Sequence, residues 1–449
     1  MTNDKPENLM EKIISLCKRR GFVFPGSEIY GGLANSWDFG PLGNELFNNI
    51  ASLWWKKFVQ ERPDMVGVRG AIIMNPKVWE ASGHLQSFTD PLVECKICHE
   101  RFRQDKTEEL EAHAKTHKEN VEWTEPKNFN LLFKTYIGPV EDSKAVAYLR
   151  GELAQTMFTD FKTIQESSRL KLPFGIAQIG KAFRNEITTG NFIFRTKEFT
   201  IAELEYFVKP GEEDKAFQAW DRFMEQFLLN DLGLNQEKVR RYEHPKESLA
   251  HYSKGTTDIE YEFPFGWGEI TGLASRTDFD LKNHEIASGQ NLKYKDSESG
   301  EEYWPYVVEP TVGLERLMLA VLANSYTEVE PRSGEEDAVH EKEVVLRLPK
   351  ALAPVKVAVL PLSKKEELSG PAKELAAELR KYFVTQYDET ASIGKRYRRQ
   401  DEIGSPFCVT FDFDSLTDQK VTVRDRDTME QERIAISELA NYLQKQLSS

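Results

Sequence analysis

Apolar residues recur at helical spacing near the start of the chain. Leu9, Ile13, Leu16 and Cys17 share one face of a helix expected over residues 8–20, which Gly21 closes. A wider apolar face, Leu46, Ile50, Leu53, Trp54 and Phe58, predicts a second helix from Leu42 to Phe58. Between them lies GFVFPGSEIYGGLANSWDFGPLG, expected to form turns that pack Phe22, Phe24, Tyr30 and Trp37; it lacks the Lys-Ser/Thr ending of a P-loop. VGVRGAIIMNP reads as a strand stopped by Pro76, because proline cannot donate to a ladder, and Asn130–Tyr136 reads as another strand. The period changes over Phe183–Glu205, FRNEITTGNFIFRTKEFTIAELE, where apolar and polar residues partly alternate on either side of a small polar loop, Thr188–Asn191. That pattern predicts two antiparallel strands and a mobile loop, with Arg, Phe and Glu side chains on one face.

Residues 213–231 read as a surface helix with Phe217, Trp220, Phe223 and Phe227 on one side. Thr256–Phe263 alternates like a strand, and Gly266 and Gly268 beyond it permit close approach of backbone to a ligand. Tyr306–Leu322, YVVEPTVGLERLMLAVL, predicts a short strand, a turn at Gly313 and an apolar-faced helix. An acidic stretch, TEVEPRSGEEDAVHEKEV, marks a linker or mobile loop. After it VKVAVLPL reads as a buried strand, followed by a helix to Phe383, strands in PFCVTFDF and KVTVRDRD, and a closing helix in SELANYLQKQL. Strands alternating with helices indicate a small α/β sheet in this last part.

Composition narrows the class. The chain has 449 residues, 40% apolar and 29% charged, which suits an ordinary soluble protein of two or three domains. No apolar run is long enough to span a bilayer and MTNDKPENLM is not a signal peptide, so a cytosolic location without membrane contact is expected. A net charge of −14 argues against a general nucleic-acid coat protein. It leaves room for a local basic face, and GKRYRRQDEIG, with Lys395, Arg396, Arg398 and Arg399 around Tyr397, is either such an RNA-phosphate footprint or a salt-bridged surface. Four cysteines are too few for a disulfide framework, but Cys95-x2-Cys98 followed by His113-x3-His117 has the ligand order of a zinc finger. The alternative is a charged helix carrying surface histidines.

The Phe183–Glu205 set suits a nucleoside triphosphate: guanidinium groups for phosphate, an aromatic face for a purine, carboxylates for amines. A hairpin with solvated charges is the competing reading for Arg-x-Glu alone. The whole stretch resembles motif 2 of the class II aminoacyl-tRNA synthetases, and LPFGIAQIGKAFRNE with FRTKEFT resembles the homodimeric glycyl-tRNA synthetases. The long helix, strand and proline upstream resemble motif 1, the dimer interface in that family. YVVEPTVGLERLMLAVL resembles motif 3, and YLRGELAQTMF resembles the family's Arg-Pro-Glu-Thr-Ala-Gln-Gly segment with Gly151, Leu153 and Thr156 as departures that bear on pocket shape.

The resemblance implies site residues. Arg184 would hold the α-phosphate of ATP, Arg195 would reach toward the γ-phosphate, and Arg316 with Phe199 would sandwich adenine. The same ATP set takes in Asn185, Glu186, Phe194, Thr196, Lys197, Glu198, Ile270 and Gly313, with Glu269 as a carboxylate for Mg2+. The glycine set comprises Arg103, Glu152, Phe199, Thr200, Ile201, Ala202, Glu203, Glu309, Thr311 and Gly313. In some members two Cys-x2-Cys pairs occupy the insertion, so Cys95, Cys98, His113 and His117 would hold one structural Zn2+.

The implied α+β architecture has an antiparallel-sheet catalytic domain (1–90 and 129–326), a small insertion (91–128), an acidic linker (327–345) and an α/β anticodon-binding domain (346–449). The implied activity joins glycine to ATP and then to the 3′ end of tRNA(Gly), with glycine, ATP, tRNA and a second copy of the chain as partners. Another class IIa synthetase and a non-catalytic relative, as in the accessory subunits of mitochondrial DNA polymerase, are the rivals. The second would lack the catalytic arginines present here at 184, 195 and 316.

Overall fold

The computed structural model describes residues 6–142, 144–187, 190–245, 253–331 and 342–448. Helix α1 spans Pro6–Arg20 and α2 spans Pro41–Trp55, continued by a wide turn, Lys56–Gln60, that keeps Phe58 fully buried. Pro41 suits the start of α2, where the first N–H groups have no helical partner and a missing donor costs nothing. Between these helices Phe22 is buried and Phe24 and Trp37 are half-buried. Tyr30, expected to pack, is 87% exposed. It belongs to a single turn, Glu28–Tyr30, held between left-handed Ser27 and Gly31 with no buried residue of its own.

Seven strands form the central sheet: β1 (Met65–Gly67), β2 (Phe174–Phe183), β3 (Glu198–Val208), β4 (Val239–Glu243), β5 (Gly255–Phe263), β6 (Gly266–Thr277) and β7 (Tyr306–Gly313). Their order is β4-β5-β6-β7-β3-β2-β1, antiparallel throughout except for β1 beside β2. Strands β2 and β3 are the pair expected around the polar loop, of which Thr188 and Thr189 lie outside the described residues.

Two strand expectations are corrected. The first strand ends at Gly67, and Pro76 opens a short helix, Pro76–Ala81, whose cap Asn75 accepts from the Lys77 N–H. Asn130–Tyr136 divides into Lys127–Asn130 and Lys134–Tyr136, which join different sheets. Asn130 causes the break: its side chain accepts from the Leu132 N–H and donates to the carbonyls of His84 and Leu85, turning the chain.

Both faces of the sheet are covered. Helices α3 (Glu213–Gln226), α4 (Phe279–Ser288) and α5 (Leu314–Ser325) follow β3, β6 and β7. Leu46, Trp54 and Phe58 from the α2 region meet Ala202, Leu204, Leu317 and Trp220 in the larger core. On the opposite face Phe158, Phe161 and Phe174 pack with Ile201 and Phe207. Each fully buried side chain of this kind contributes about 1.5–3 kcal/mol. The alternation of β3 between these cores directs Phe199, Ile201 and Glu203 to one side and Thr200, Ala202 and Leu204 to the other.

The insertion forms a three-stranded sheet, with Thr89–Glu94 between Arg101–Arg103 and Lys127–Asn130, and carries a helix at Thr107–Ala114. The acidic stretch is not a linker at its ends: Tyr326–Val329 pairs with Glu343–Leu346, while 332–341 lies outside the described residues. Leu346, Leu348, Leu352 and Val355 pack into the larger core, and a separate core begins at Val357. Its sheet runs β9-β8-β10-β11-β12, from β8 (Val357–Pro361), β9 (Thr385–Tyr387), β10 (Phe407–Phe411), β11 (Lys420–Asp425) and β12 (Gln431–Ala435). Helices α6 (Glu366–Leu379), α7 (Ile393–Ile403) and α8 (Leu439–Ser448) complete this α/β unit. Short β9 and polar β12 went unread in the pattern. Helix α7 meets the larger body, with Ile403 in its core and Glu402 paired to Arg20 of α1.

Candidate active site

The cleft opens where β2, β3, β6 and β7 present one face. At its mouth stand Arg184, Arg195, Phe199, Glu269 and Arg316, with Glu186 and Phe194 beside them. Arg184 follows β2; its Nε donates to the Gly151 carbonyl at 3.1 Å, and its guanidinium lies 5.5 Å from the Phe199 ring and 5.3 Å from Phe88. Arg316 emerges from the first turn of α5, donates to the Phe194 carbonyl at 3.1 Å and sits 4.5 Å from the Phe194 ring. Its Nη1 meets the Glu269 carboxylate at 2.9 Å. Burial raises the Glu269 pKa, but Arg316 first, then Arg184 and Arg195, outweigh it and hold the carboxylate below its usual range. Arg195 makes no side-chain hydrogen bond or ion pair among the described residues.

Two glycine readings change at the mouth, where Glu269 lies within β6. Gly268 leaves no gap for a ligand, because a Cβ there would come within 2.7 Å of the Phe194 ring; Gly266 alone takes a left-handed φ, +113°. Gly313 has φ −82°, which any residue adopts, and its need for smallness is the Arg316 side chain, 3.3 Å from a Cβ built there.

Deeper in, the residues that meet are mostly acidic. Glu152, Glu203 and Glu309 are each under 10% exposed. Glu203 accepts from the Leu153 N–H at 2.6 Å and from the Thr311 hydroxyl at 3.3 Å; Thr311 also reaches Glu309 at 3.2 Å. Glu309 is bonded to Nη1 of Arg276. Arg276, at the end of β6, grips Asp280 with two hydrogen bonds of 2.9 and 3.0 Å and lies 3.6 Å from Glu152. Glu152 is further held by Gln155 at 2.8 Å and by His84 Nε2 at 3.2 Å, while His284 braces Gln155 at 2.7 Å. Burial pushes Glu152 upward, but His84 and Arg276 together bring it well below the carboxylate range. For Glu203 burial wins, with Glu309 and Glu152 adding repulsion, and its pKa rises to about 8.

Arg276, Asp280, His84 and His284 were not among the sequence candidates. The Arg-x3-Asp spacing of Arg276 and Asp280 across a strand end and helix start was the available signal. His84, a lone histidine in Ser-Gly-His, offered none. The departures at Gly151, Leu153 and Thr156 leave the carboxylates intact: Leu153 is buried in the core, and Thr156 packs against Gly70. Arg150 bolts this loop to β2 through the Lys181 carbonyl at 2.7 Å and to the carbonyl of Gly70 at 3.1 Å.

Other candidates fall elsewhere. The side chains of Ala202 and Ile270 belong to the larger core, away from the cleft. Thr200 faces the same way and donates from its N–H and hydroxyl to buried Glu315, tying β3 to the start of α5. Glu198 is exposed, 3.4 Å from Lys181, and Lys197 bonds Asn185 at 3.1 Å; Thr196, by contrast, stays in the lining of the mouth while donating to the Glu198 carbonyl at 2.8 Å. Arg103 sits on the insertion sheet between Asp90 and Asp105, at 3.0 and 2.7 Å.

The four insertion ligands do converge. Cys98 Sγ lies 3.4 Å from His113 Nε2, Cys95 Sγ 3.8 Å from His117 Nε2, and the two Nε2 atoms are 3.1 Å apart. Burial opposes ionisation of Cys95, but the N–H groups of Cys98 and Ile97 and the His113 ring bring its thiol down to about 7.

The basic footprint is largely dismantled. Arg396 is buried and donates to the carbonyls of Pro361, Thr390 and Ala391; Arg399 is paired to Asp388. Tyr397 bonds the Thr410 hydroxyl at 2.5 Å beneath Arg424. On α7 only Lys395 is exposed, with Arg398 half-buried 3.7 Å from Glu402. The amphipathic face of the helix uses its cations to hold the unit together.

Residues 140–325 match the family described as tRNA synthetase class II core domain (G, H, P, S and T), and residues 356–446 match the anticodon binding domain. Fold and cleft together define a class II aminoacyl-tRNA synthetase. Over the whole chain, it is 54% identical to the glycine–tRNA ligase of Caldanaerobacter subterraneus subsp. tengcongensis, with 98% of each chain covered. The glycine–tRNA ligases of Geobacillus thermodenitrificans (53%, 98% of each) and Corynebacterium efficiens (52%, 98% of this chain and 99% of the relative) match equally along their length. The chain belongs to the glycine–tRNA ligase family. No helix among the described residues is long and apolar enough to cross a membrane.

Proposed function

We propose that this glycine–tRNA ligase divides its cleft into an arginine mouth for ATP and a carboxylate floor for the glycine ammonium. The observation that carries this reading is the meeting of Arg184, Arg195 and Arg316 at one opening whose lining includes Thr311, the residue that reaches buried Glu203 and Glu309. A carboxylate oxygen of glycine attacks the α-phosphorus in line; the new O–P bond forms as the bond to pyrophosphate breaks, leaving glycyl-adenylate. No side-chain nucleophile is needed, and catalysis consists of positioning and charge neutralisation. Arg184 neutralises the α-phosphate and Arg195 the γ-phosphate, while Phe199 and Arg316 flank adenine. Asn185, Glu186 and Phe194 line the approach. Glu269 is the carboxylate that fits Mg2+, which supplies further charge neutralisation when bound. Thr311 orients Glu203 and Glu309, and Arg103 belongs to the rim of the insertion. The crowded floor, with Arg276 close behind the carboxylates, excludes side chains larger than hydrogen by overlap.

Cys95, Cys98, His113 and His117 fit a structural Zn2+. Around a tetrahedral ion, ligand contacts of about 2.3 Å for sulfur and about 2.05 Å for nitrogen give edges near 3.6 Å (S–N) and 3.3 Å (N–N), close to the separations in this cluster. Metal analysis should find about one zinc per chain, lost in Cys95→Ser; zinc-free protein with an ordered insertion contradicts it. The α/β unit from 356 onward takes the tRNA anticodon, in a homodimer working in the cytoplasm. Exposed Ile29, Tyr30 and Leu33 supply apolar surface for pairing two chains. Amino-acid-dependent ATP–pyrophosphate exchange tests the activity: glycine alone should support it, without tRNA. Exchange with alanine or serine in its place contradicts the reading.

A further inference from the structure

We propose that glycine binding expels a proton from the pocket: Glu203 is protonated when the site is empty and releases its proton to solvent as the substrate ammonium docks, above a Glu205 that stays neutral throughout. The proposal rests on the reading of Glu152, Glu203 and Glu309 as the ammonium ligands.

The geometry points to it. Glu203, Glu205 and Glu309 offer oxygens that all lie within 4.8 Å of one another. The ladder between β3 and β7 sets Glu203 opposite Thr311 and Tyr206 opposite Val308, so Glu205 stands across from Glu309. Like charges directly opposite on neighbouring strands are destabilising. Glu205 is 0% exposed, and neither of its oxygens has a hydrogen-bond partner. Keeping an ionised carboxylate that way costs far more than keeping a neutral acid.

The charges around Glu203 make the account one-sided. Glu205 flanks it on β3 and Glu309 faces it from β7. Arg276 and Asp280 come from the β6–α4 junction, already joined to each other. Glu152 and Arg150 come from the loop before Ala154, with His84 and His284 behind Glu152 and Gln155. Five carboxyl groups thus share two guanidinium groups, one of them turned toward the backbone of β2. Burial, then Glu309 and Glu152, brings Glu203 up to about 8; burial, then Glu309, carries Glu205 well above the ordinary carboxylate range. An arriving ammonium reverses the balance at Glu203, and the proton leaves while the substrate amine keeps its own.

The sign follows from linkage. Below the empty-site pKa each binding event must displace a proton, so glycine binding weakens as pH falls; above it the dependence flattens. In pyrophosphate exchange the glycine KM should rise about eightfold between pH 7.5 and 6.5, while the ATP KM stays level. Glu205→Gln should keep this slope and Glu203→Gln should lose it. Calorimetric titration with glycine at pH 7, in Tris and in phosphate, should give heats that differ by nearly one proton's ionisation. Buffer-independent heat, a level glycine KM, or a slope that survives in Glu203→Gln and vanishes in Glu205→Gln overturns the proposal. If Glu203→Gln does not exchange, the calorimetry of the unaltered protein decides. Failure of glycine to support exchange at any pH would instead remove the reading of the cleft itself.

Discussion

At the mouth of the cleft Arg184, Arg195 and Arg316 are half-buried and keep few protein partners, whereas at the floor every carboxylate but Glu205 is already held by the protein. Both halves rest on the same four strands. The mouth is prepared for a large polyanion that brings its own counter-charge, so its cations wait close to solvent. The floor must admit the smallest amino acid and nothing bulkier, so its side chains are held in place before the substrate arrives. Preorganisation of that kind lowers the cost of binding, and it makes the floor part of the folding free energy as well as of specificity.

The sharpest way to break this contrast is Arg276→Met. Removing one partner of a buried ionic network costs about 3–5 kcal/mol, and denaturant unfolding should register it. A loss below about 1 kcal/mol would mean the floor does not depend on its central cation. Arg184→Ala should do the reverse, slowing single-turnover adenylation by about 2.7–4 kcal/mol of barrier with little change in unfolding. Equal adenylation rates in variant and parent would remove Arg184 from the phosphate site.

Glu205→Gln sharpens the comparison through pH. Between the ordinary carboxylate value of 4.5 and the raised folded value, the native state holds a proton that the unfolded chain has lost. Stability of the parent therefore falls as pH rises through that window, by up to about 1.4 kcal/mol per pH unit. The glutamine variant should gain on the parent steadily from pH 5 upward in the unfolding midpoint; a gap independent of pH would mean Glu205 is ionised. Smallest of all, Lys395→Ala with Arg398→Ala should reduce the salt slope of tRNA binding by roughly one unit for each phosphate no longer neutralised, and leave adenylation unchanged. Arg396→Ala, by contrast, should unsettle α7 itself, since its donors hold the carbonyls of Pro361, Thr390 and Ala391.

Arg184, Arg195, Phe199 and Arg316 of the mouth were legible in the sequence because they lie on two short stretches, one hairpin and one strand–helix junction, whose local period reveals which side chains share a face. The floor was only half legible. Glu152, Glu203 and Glu309 stand in recognisable segments, but His84, Arg276, Asp280 and His284 reach them from elements that become neighbours only when the sheet assembles. Beyond the Arg-x3-Asp spacing of Arg276 and Asp280, no local spacing encodes that. Pro76 was misread because proline suits a helix start as well as it stops a strand, and the Asn75 cap decides between them. The basic run at 395–399 left two readings open for a related reason. A row of cations on a helix names no partner, and here Asp388 and the carbonyl groups around Thr390 take two of the four, Arg396 and Arg399.

The most direct test of the divided cleft is the pair of KM values for Glu152→Gln in glycine-dependent pyrophosphate exchange. Glu152 belongs to the floor, and weakening one desolvated charge contact costs about 2 kcal/mol or more, which is roughly 30-fold in affinity. The glycine KM should rise by at least that factor while the ATP KM stays within about twofold of the parent, a shift of roughly 0.4 kcal/mol. A rise in the ATP KM with glycine unaffected would contradict the division of the cleft.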